Sequence, residues 1–262
     1  MAQPILTLTT DFGLSDHYVG AMKGVILGIC PKARVVDITH EIGAYRITEG
    51  AFAIAQAYRC FPKGTVHVVV VDPGVGTARR PILMEAAGQR FIAPDNGVLA
   101  MIYAREKSKI RVISNQRYFR KPVSTTFHGR DIFSPVGAHV AAGVPPAKMG
   151  KLVDDYLRPA FQNPVQTGKR RWNGQVLKVD RFGNIVTNFR AEDFPNLAGR
   201  TFLFGLGAHQ VQVLATNYAA SSPGELFAIV GSSGYYEISI NQASAAKATG
   251  YASESPVELS IW

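Results

Sequence analysis

The sequence predicts an α/β N-terminal domain with a mostly parallel central sheet, followed by a smaller all-β, barrel-like C-terminal domain. Strand-like and helix-like segments alternate over the first half of the chain. Within them, the run TVHVVVVD at 65–72 is typical of a strand buried on both faces of a parallel sheet. After Trp172, short alternating segments are separated by Gly, Asn and Pro, which indicates a β-barrel or sandwich.

The N-terminal domain is expected to span residues 1–158. Its first strand ends on polar residues, so its carboxyl end delivers them into a loop. The predicted strands are Ile5–Asp11, Arg34–Thr39, Thr65–Asp72, Pro81–Glu85, Gln89–Ala93 and Ile110–Ser114. The predicted helices are His17–Cys30, Thr48–Tyr58, a short one after Asn96, and Asp131–Ala142.

Local signals predict where the helices begin and end. Asp16 and Thr48 are the residue types that cap the first turn of a helix with a side-chain oxygen. Pro31 ends the first helix because proline lacks the backbone N–H donor.

A linker is expected at 159–171, because Pro159, Pro164 and Gly168 occur there without sustained periodicity. The C-terminal domain then covers 172–262. Its predicted strands are Gly174–Val179, Thr201–Phe204, Val211–Ala215, Leu226–Val230, Tyr236–Ile240 and Val257–Ile261.

Composition narrows the function classes. With 262 residues, 47% of them hydrophobic, the chain can form large cores without disulfides. The net charge of +9 favours nucleic acid only if basic residues cluster, and here they are mostly scattered, so we expect neither nucleic-acid binding nor a membrane partner. We expect a cytoplasmic protein, because no signal segment or long apolar run is found.

Polar residues collect at the ends of the apolar strands. Asp11, the loop DPGVGTARR that starts at Asp72, and the turn Asp95-Asn96-Gly97 all follow predicted strands. In open parallel sheets ligands bind outside the carboxyl ends of strands, so these groups are candidate neighbours in one crevice. The glycine-bearing loop is neither a Walker loop nor a GxGxxG loop, and a purely structural turn is the alternative interpretation.

Two further segments concentrate reactive groups. TTFHGRD places His128 beside Arg130 and Asp131 just before a helix, where the imidazole has little core to join. DRFGN, starting at Asp180, groups a carboxylate, an aromatic ring and an amide that suit an amine and a flat ring, although an Asx-type turn uses the same residue types.

Seven blocks of sequence occur in a specific order: TTDFGLSDHYVGAMKG, DITHEI, VDPGVGTARR, APDNGVL, TFHGRDIFSP, DRFGNIVTN and GSSGYYEISINQ. Taken together, they resemble the S-adenosyl-L-methionine (SAM) hydroxide adenosyltransferase family. Each block alone is weak, but seven in order over nearly the whole chain are specific. The related fluorinase and chlorinase share the fold and the substrate.

The resemblance implies that SAM is hydrolysed to adenosine and L-methionine by a water that attacks C5′, activated by Asp72, Arg79 and His128. It implies further that Asp11 binds the ribose hydroxyls. The residues implied to bind the methionine end are Asp16, Asp180, Glu237, Ser232 and Ser233. Those implied to surround adenine are Phe182, Asn184 and Tyr218, and Tyr45 and Phe127 would form walls of the pocket.

The family also implies a homotrimer, with each site between the N-terminal domain of one subunit and the C-terminal domain of the next. No cofactor and no metal are expected, since SAM is the substrate. The halogenases replace the triad and carry an extra N-terminal-domain loop, and neither departure is seen here, which favours hydroxide over halide.

Three alternatives stay open. One is a SAM-dependent halide adenosyltransferase. Another is a metal-dependent phosphoesterase, in which Asp11, His40, Asp72, Asp95 and His128 would converge on a metal, although no HxxxH, HExxH or DxDxD spacing supports it. The last is a nucleotide-binding regulatory module without turnover, against which the intact triad counts.

Overall fold

The computed structural model describes residues 3–161 and 163–262. They form two compact units, which divide between Pro159 and Ala160. The range 159–171, expected to be a linker, contains strand β7 (Val165–Gly168) and the first residue of β8 (Arg171–Val179). Met1 and Ala2 of the expected first domain, and Gln162 of the expected linker, lie outside the described residues.

The first unit alternates strands and helices, which confirms the predicted pattern. Its strands are β1 (Ile5–Thr10), β2 (Arg34–Thr39), β3 (Val66–Val70), β4 (Pro81–Ala86), β5 (Gln89–Pro94) and β6 (Ser108–Val112). Its helices are α1 (Tyr18–Ile29), α2 (Ile47–Ala57), α3 (Ala100–Tyr103) and α4 (Ser134–Ala141). A π-helical turn, Gly129–Phe133, leads directly into α4.

The central sheet is mixed, so the predicted mostly parallel sheet is not confirmed. Its order is β2-β1-β3-β5-β4-β6; the first three neighbouring pairs are parallel and the last two are antiparallel. The reason is the tight turn at Ala87-Gly88, both with positive φ, because a two-residue hairpin forces antiparallel pairing of β4 and β5.

Both predicted helix caps are wrong. The residue before α1 is His17, in helical geometry and without a side-chain cap, and Asp16 lies one residue further out. Thr48 lies inside α2 and is buried, because α2 already begins at Ile47 after a turn at Tyr45. There Glu49, in the first turn, accepts a hydrogen bond from the Gly43 N–H at 3.1 Å, and this bond ties the helix start to the preceding loop.

Helices cover both faces of the sheet. On one face α1 and α4 share a core with β1 and β3, and a Cβ added at Gly137 of α4 would lie 2.7 Å from Val68 Cγ2. On the other face α2 lies so close that a Cβ at Gly50 would lie 2.9 Å from Val71 Cγ2. The central strands β1, β3 and β5 are therefore shielded from water, and the polar residues follow the ends of strands. Among the described residues, no helix is long and apolar enough to span a bilayer.

The second unit is a curled, strand-rich half-barrel. Beyond β7 and β8 its strands are β9 (Ile185–Arg190), β10 (Phe202–Leu206), β11 (His209–Val211), β12 (Leu214–Ala215), β13 (Leu226–Val230), β14 (Tyr235–Ile240) and β15 (Pro256–Ile261). Their order is β11-β10-β15-β8-β9-β14-β13-β12, with β7 pairing β8.

The unit is not purely β. A short helix, α5 (Ala245–Thr249), forms because its sequence is alanine-rich, Ser244 caps it by accepting from the Lys247 N–H at 3.1 Å, and Gly250 ends it in left-handed geometry. The sequence analysis did not predict the strand β9. Its residues are buried except for the last, Arg190, and it pairs with both β8 and β14.

Candidate active site

Two loops of the first unit meet at the carboxyl end of β3. Asp72 follows β3 by two residues, and the glycine-bearing loop from Asp72 to Arg79 connects it to β4. Gly76 has a φ of +78°, and a Cβ there would overlap the Thr125 carbonyl oxygen. Only glycine permits so close an approach, which places the loop against the TTFHGRD segment.

The predicted triad is a continuous chain of contacts. Arg79 binds Asp72 with two donors: Nε donates to Oδ1 at 2.8 Å, and Nη2 donates to Oδ2. The same Nη2 lies 2.9 Å from His128 Nδ1. Because a guanidinium can only donate, Nδ1 must accept, and a neutral His128 then carries its hydrogen on Nε2.

The surroundings favour a charged pair beside a neutral imidazole. The side chains of Arg79 and Asp72 are only 9% and 4% exposed, and the guanidinium carbon lies 5.0 Å from the centre of the Phe133 ring. Burial, and then the positive charge of Arg79, lower the pKa of His128 below its usual 6.5. Arg79 Nη1 is buried and has no hydrogen-bond partner among the described residues, so one strong donor at this site is unused.

Asp131 fixes the segment that carries His128. It is fully buried, and its Oδ2 accepts from the Ser124 N–H at 2.9 Å and from Arg130 Nη2 at 2.9 Å. Arg120 adds a third contact at 3.3 Å, to Oδ1. The arginines and the Ser124 amide offset the cost of burying a carboxylate, and together they hold the loop that enters the π-helical turn.

Asp11 lies at the same end of the sheet, one residue after β1. Its Oδ2 accepts from the Tyr45 N–H at 2.9 Å, and Tyr45 has a φ of +68°, a region that non-glycine residues avoid. Burial raises the pKa of Asp11, opposed by the Tyr45 amide, and the negative charge of Asp72 raises it further. Asp11 therefore lies close enough to the triad to respond to its charge. The Tyr45 ring is 72% exposed.

Phe127, next to His128 in sequence, lines a cleft of about 330 Å³ together with Phe12, Tyr18 and Arg130. The Phe127 ring centre is 5.0 Å from that of Tyr18 and 6.0 Å from that of Phe12. Asp16, predicted to bind the methionine end, is exposed on the segment just before α1.

In the second unit, Asp180 organises a turn. Its Oδ1 accepts from the Phe182 and Asn184 backbone amides at 2.9 and 2.8 Å, and its Oδ2 accepts from the Asn184 side-chain amide at 2.9 Å. Phe182 is 78% exposed at the tip of this turn, while Asn184 is buried. This geometry is that of the Asx turn that sequence analysis weighed against a binding role.

Glu237 is a buried carboxylate in the same unit. The Tyr218 hydroxyl donates to its Oε2 at 3.2 Å. Burial raises the pKa of Glu237, and the charge of Asp180 raises it further. The two carboxylates are therefore close enough to interact electrostatically. Burial also raises the pKa of Tyr218 to about 12. A Cβ at Gly231 would overlap the Glu237 carboxyl group, so the carboxyl packs against bare backbone.

Ser232 and Ser233 form the turn between β13 and β14 that follows Gly231. Ser233 Oγ is buried without a hydrogen-bond partner in the described chain. The structure thus brings the predicted residues together in two groups, one in each unit: Asp11, Asp72, Arg79 and His128 in the first, and Asp180, Asn184, Tyr218 and Glu237 in the second.

Sequence analysis named Asp131 and the segments that contain Gly76 and Gly231, but it did not predict what these residues do. Their contacts with Ser124, Thr125 and Glu237 depend on the folded backbone. Among the described residues no three metal-ligating side chains form a group that could hold an ion. Of the residues in the metal alternative, Asp95 instead pairs with Arg80, Nη2 to Oδ2 at 2.7 Å.

Comparison with known proteins matches both units to one family. Residues 6–150 match the model of the SAM hydroxide adenosyltransferase N-terminal domain, and residues 174–258 match that of its C-terminal domain. A curated relative from Salinispora arenicola (strain CNS-205), named (R)-S-adenosyl-L-methionine hydrolase, is 36% identical over 93% of this chain and 92% of its own.

More distant relatives include a fluorinase from Nocardia brasiliensis, 28% identical over 93% of this chain and 92% of its own. A crystal structure of an uncharacterized conserved protein from Thermotoga maritima has a TM-score of 0.87 and 36% identity, and the match covers 98% of this chain and 99% of that one. With both domain models matched in order, this chain belongs to the SAM hydroxide adenosyltransferase family.

Proposed function

We propose that this protein hydrolyses SAM to adenosine and L-methionine by in-line attack of a water-derived hydroxide on C5′. The observation that carries the proposal is the part-buried Asp72–Arg79–His128 chain, which leaves Arg79 Nη1 as a buried donor without a partner among the described residues. The names of the relatives agree, since those at 32–40% identity are called SAM hydrolases and the fluorinases are more distant.

The chemistry follows from the charges. The permanent positive charge of Arg79 and its unpartnered Nη1 donor favour hydroxide over water, as a metal ion does by its charge, and the proton leaves to solvent. The oxygen then forms a bond to C5′ while the C5′–S bond breaks, and its electron pair stays on sulfur as the neutral thioether of methionine. Asp72 balances the guanidinium and fixes its plane.

Arg79 must lie on the oxygen side of C5′, opposite sulfur, because a guanidinium beside a sulfonium would be repulsive. Backside displacement requires the same arrangement. Opposite charges neutralise each other in this transition state, so aromatic walls such as Phe127 and Tyr45 that exclude bulk water accelerate it.

In this proposal the two domains supply different parts of the site. The N-terminal domain supplies the catalytic residues and Asp11 for the ribose diol, with Asp16 at the methionine end. The C-terminal domain supplies Asp180, Glu237 and the serine turn for the methionine end, and Phe182, Asn184 and Tyr218 for adenine. Resemblance to the family supports a homotrimer in which each site takes one domain from each of two subunits.

The test uses purified protein in water enriched in heavy oxygen, with EDTA present. We expect adenosine that carries the label, together with methionine. Unlabelled adenosine would contradict the mechanism, and activity that EDTA abolishes and a divalent ion restores would favour a metal hydrolase. Parallel reactions with chloride and fluoride test halide use, for which we expect little 5′-halogenated product. Both sulfonium epimers should be supplied, since the relatives' names specify (R).

A further inference from the structure

The DITHEI block contains a histidine to which the proposed mechanism gives no role. His40 follows β2 and is 3% exposed, and its Nδ1 lies 2.8 Å from the hydroxyl of Thr10, the fully buried last residue of β1. Its Nε2 lies 3.1 Å from Asp37 Oδ1, without the alignment of a hydrogen bond. Asp37 is held from the other side by Lys23, whose Nζ donates at 2.6 Å.

These contacts reach the loop that carries Asp11. The Phe12 N–H donates to the Thr10 hydroxyl at 3.2 Å, and the Gly13 N–H donates to the His40 carbonyl at 2.8 Å. Phe12 and Gly13 are thus both tied to His40, the one through Thr10 and the other directly. The Tyr45 amide, five residues after His40 in the same connecting loop, holds the Asp11 carboxylate.

The Thr10 hydroxyl accepts from the Phe12 N–H and donates its own hydrogen to His40 Nδ1 in the tautomer that carries its hydrogen on Nε2. We propose that His40 is a positioning residue: through Thr10 and its own carbonyl it holds the loop that presents Asp11 and Phe12 to the substrate. Its effect on catalysis rests on the proposed function, whereas its effect on the loop does not.

The chain offers a close control. His67 is also fully buried, and its Nδ1 lies 2.7 Å from the hydroxyl of Thr7 on the same strand, β1. Its Nε2 lies 3.1 Å from Gln89 Oε1, within the sheet, and its ring stacks on Phe91. Loss of either imidazole costs the fold a buried threonine–histidine bond, but only His40 is tied to the loop at 11–13.

The experiment compares His40→Leu, His40→Asn, Thr10→Val and His67→Leu. An asparagine oxygen can replace Nδ1 as acceptor, so His40→Asn keeps the bond to Thr10 and loses the contact with Asp37. Each variant is measured by hydrogen exchange of the segment 11–17, calorimetric binding of adenosine, turnover of SAM and thermal unfolding.

We expect His40→Leu and Thr10→Val to speed exchange of this segment and to weaken adenosine binding about tenfold, with kcat reduced less than about threefold. His40→Asn should recover most of the binding. His67→Leu should lower thermal stability yet leave exchange at 11–17 and adenosine binding unchanged.

Equal effects of His40→Leu and His67→Leu on the loop, or full protection of the loop in His40→Leu, would overturn the proposal. If His40→Leu does not fold, Thr10→Val and His40→Asn decide by the same readouts. If the wild-type protein does not turn over SAM, the proposed function fails, while hydrogen exchange still decides whether His40 holds the loop.

Discussion

A single hydrogen bond, from Arg79 Nη2 to His128 Nδ1, determines what the imidazole can do. With Nδ1 occupied by a donor that never loses its proton, the other ring nitrogen of neutral His128 carries a hydrogen. In the proposed mechanism, His128 uses that N–H to orient an oxygen nucleophile. Protonated His128 would have to break the bond to Arg79, so acid disrupts the triad at this contact.

This arrangement can be measured as a titration. Burial and the Arg79 charge lower the pKa of His128, so NMR should show its ring titrating below 6.5, with the resonance assigned by its loss in His128→Asn. In Arg79→Gln the opposing charge is gone, and the pKa should rise. A ring that titrates at or above 6.5 in the wild-type protein would contradict the geometry.

Substitutions should also separate chemistry from binding. Arg79→Ala and His128→Ala should lower kcat sharply while ligand affinity stays within about tenfold, since they act on the nucleophile. Asp11→Ala should mainly weaken binding, because a charge-assisted contact to the ribose is worth about 1.5 to 3 kcal/mol.

Asp72→Asn is a sharper probe, since it keeps the shape and removes the charge that balances Arg79; turnover should fall while the fold survives. Calorimetry beside single-turnover kinetics checks the division. Arg79 and His128 variants that lose binding and rate together, or that keep the full rate, would contradict it.

Glu237 should cost the protein stability at neutral pH. Its folded-state pKa is raised above 4.5 by burial, so the folded state holds the proton more tightly than the unfolded state. The stability that the protonated carboxyl group of Glu237 provides is therefore fully present below the pKa of the unfolded state, and it is lost as the pH rises through the pKa of the folded state. Glu237→Gln removes this dependence.

Thermal unfolding of both proteins from about pH 4 to pH 7 measures the effect, and the Tm of the variant should gain on the wild type as pH rises. A gap between the two Tm values that is constant with pH would mean that Glu237 does not titrate in this way. The same variant should bind SAM more weakly if Glu237 holds the methionine end.

At the scale of elements, two glycines in helices should respond in opposite ways to substitution by alanine. Gly137 of α4 faces β3, where an added Cβ would lie 2.7 Å from Val68 Cγ2. Gly137→Ala should therefore overpack the core and destabilise by about 1–3 kcal/mol. Gly24 of α1 is exposed and open, and Gly24→Ala should stabilise by about 0.5–1 kcal/mol because alanine loses less entropy in a helix. Denaturant unfolding of both variants checks the contrast; effects of the same sign would contradict it.

Elements with strong local signals were predictable. The β-branched run of β3 and the strand β13 are found where the sequence indicates them, because local propensity and burial agree there. The mixed sheet was not predictable from periodicity, because the direction of β4 is set by the turn at Ala87-Gly88. The caps failed because a turn at Tyr45, held by the distant carboxylate of Asp11, starts α2 before Thr48.

The candidate site follows the same rule. Asp72, Arg79 and His128 were identified through ordered blocks of sequence, and the structure connects them. The contacts that hold them in place were not predicted: the Asp131 carboxylate accepts from the Ser124 N–H, and Gly76 lies against the Thr125 carbonyl oxygen. Such contacts depend on the folded backbone, and no spacing in the sequence encodes them.

For the whole molecule, the proposed trimer makes a mixing experiment decisive. On the proposed roles, Arg79→Ala should abolish the chemistry of the first domain, and Asp180→Ala should abolish substrate binding by the second. If each site combines domains from two subunits, refolded equal mixtures should regain about a quarter of wild-type activity, since one ordered pairing in four is intact. The separate variants, treated in the same way, should stay inactive. Mixtures that regain nothing, while forming trimers, would mean that each site is built from one chain.

The contact between Gly231 and Glu237 also has an evolutionary consequence. Because a Cβ at position 231 would occupy the space of the Glu237 carboxyl group, neither position can change freely while the other is kept. Among homologues we expect the two alignment columns to covary: a residue larger than glycine at the first should accompany loss of the glutamate at the second. The pair would then mark lineages whose C-terminal domain has exchanged this buried carboxylate for other chemistry, and so lineages in which a different substrate or reaction is worth testing.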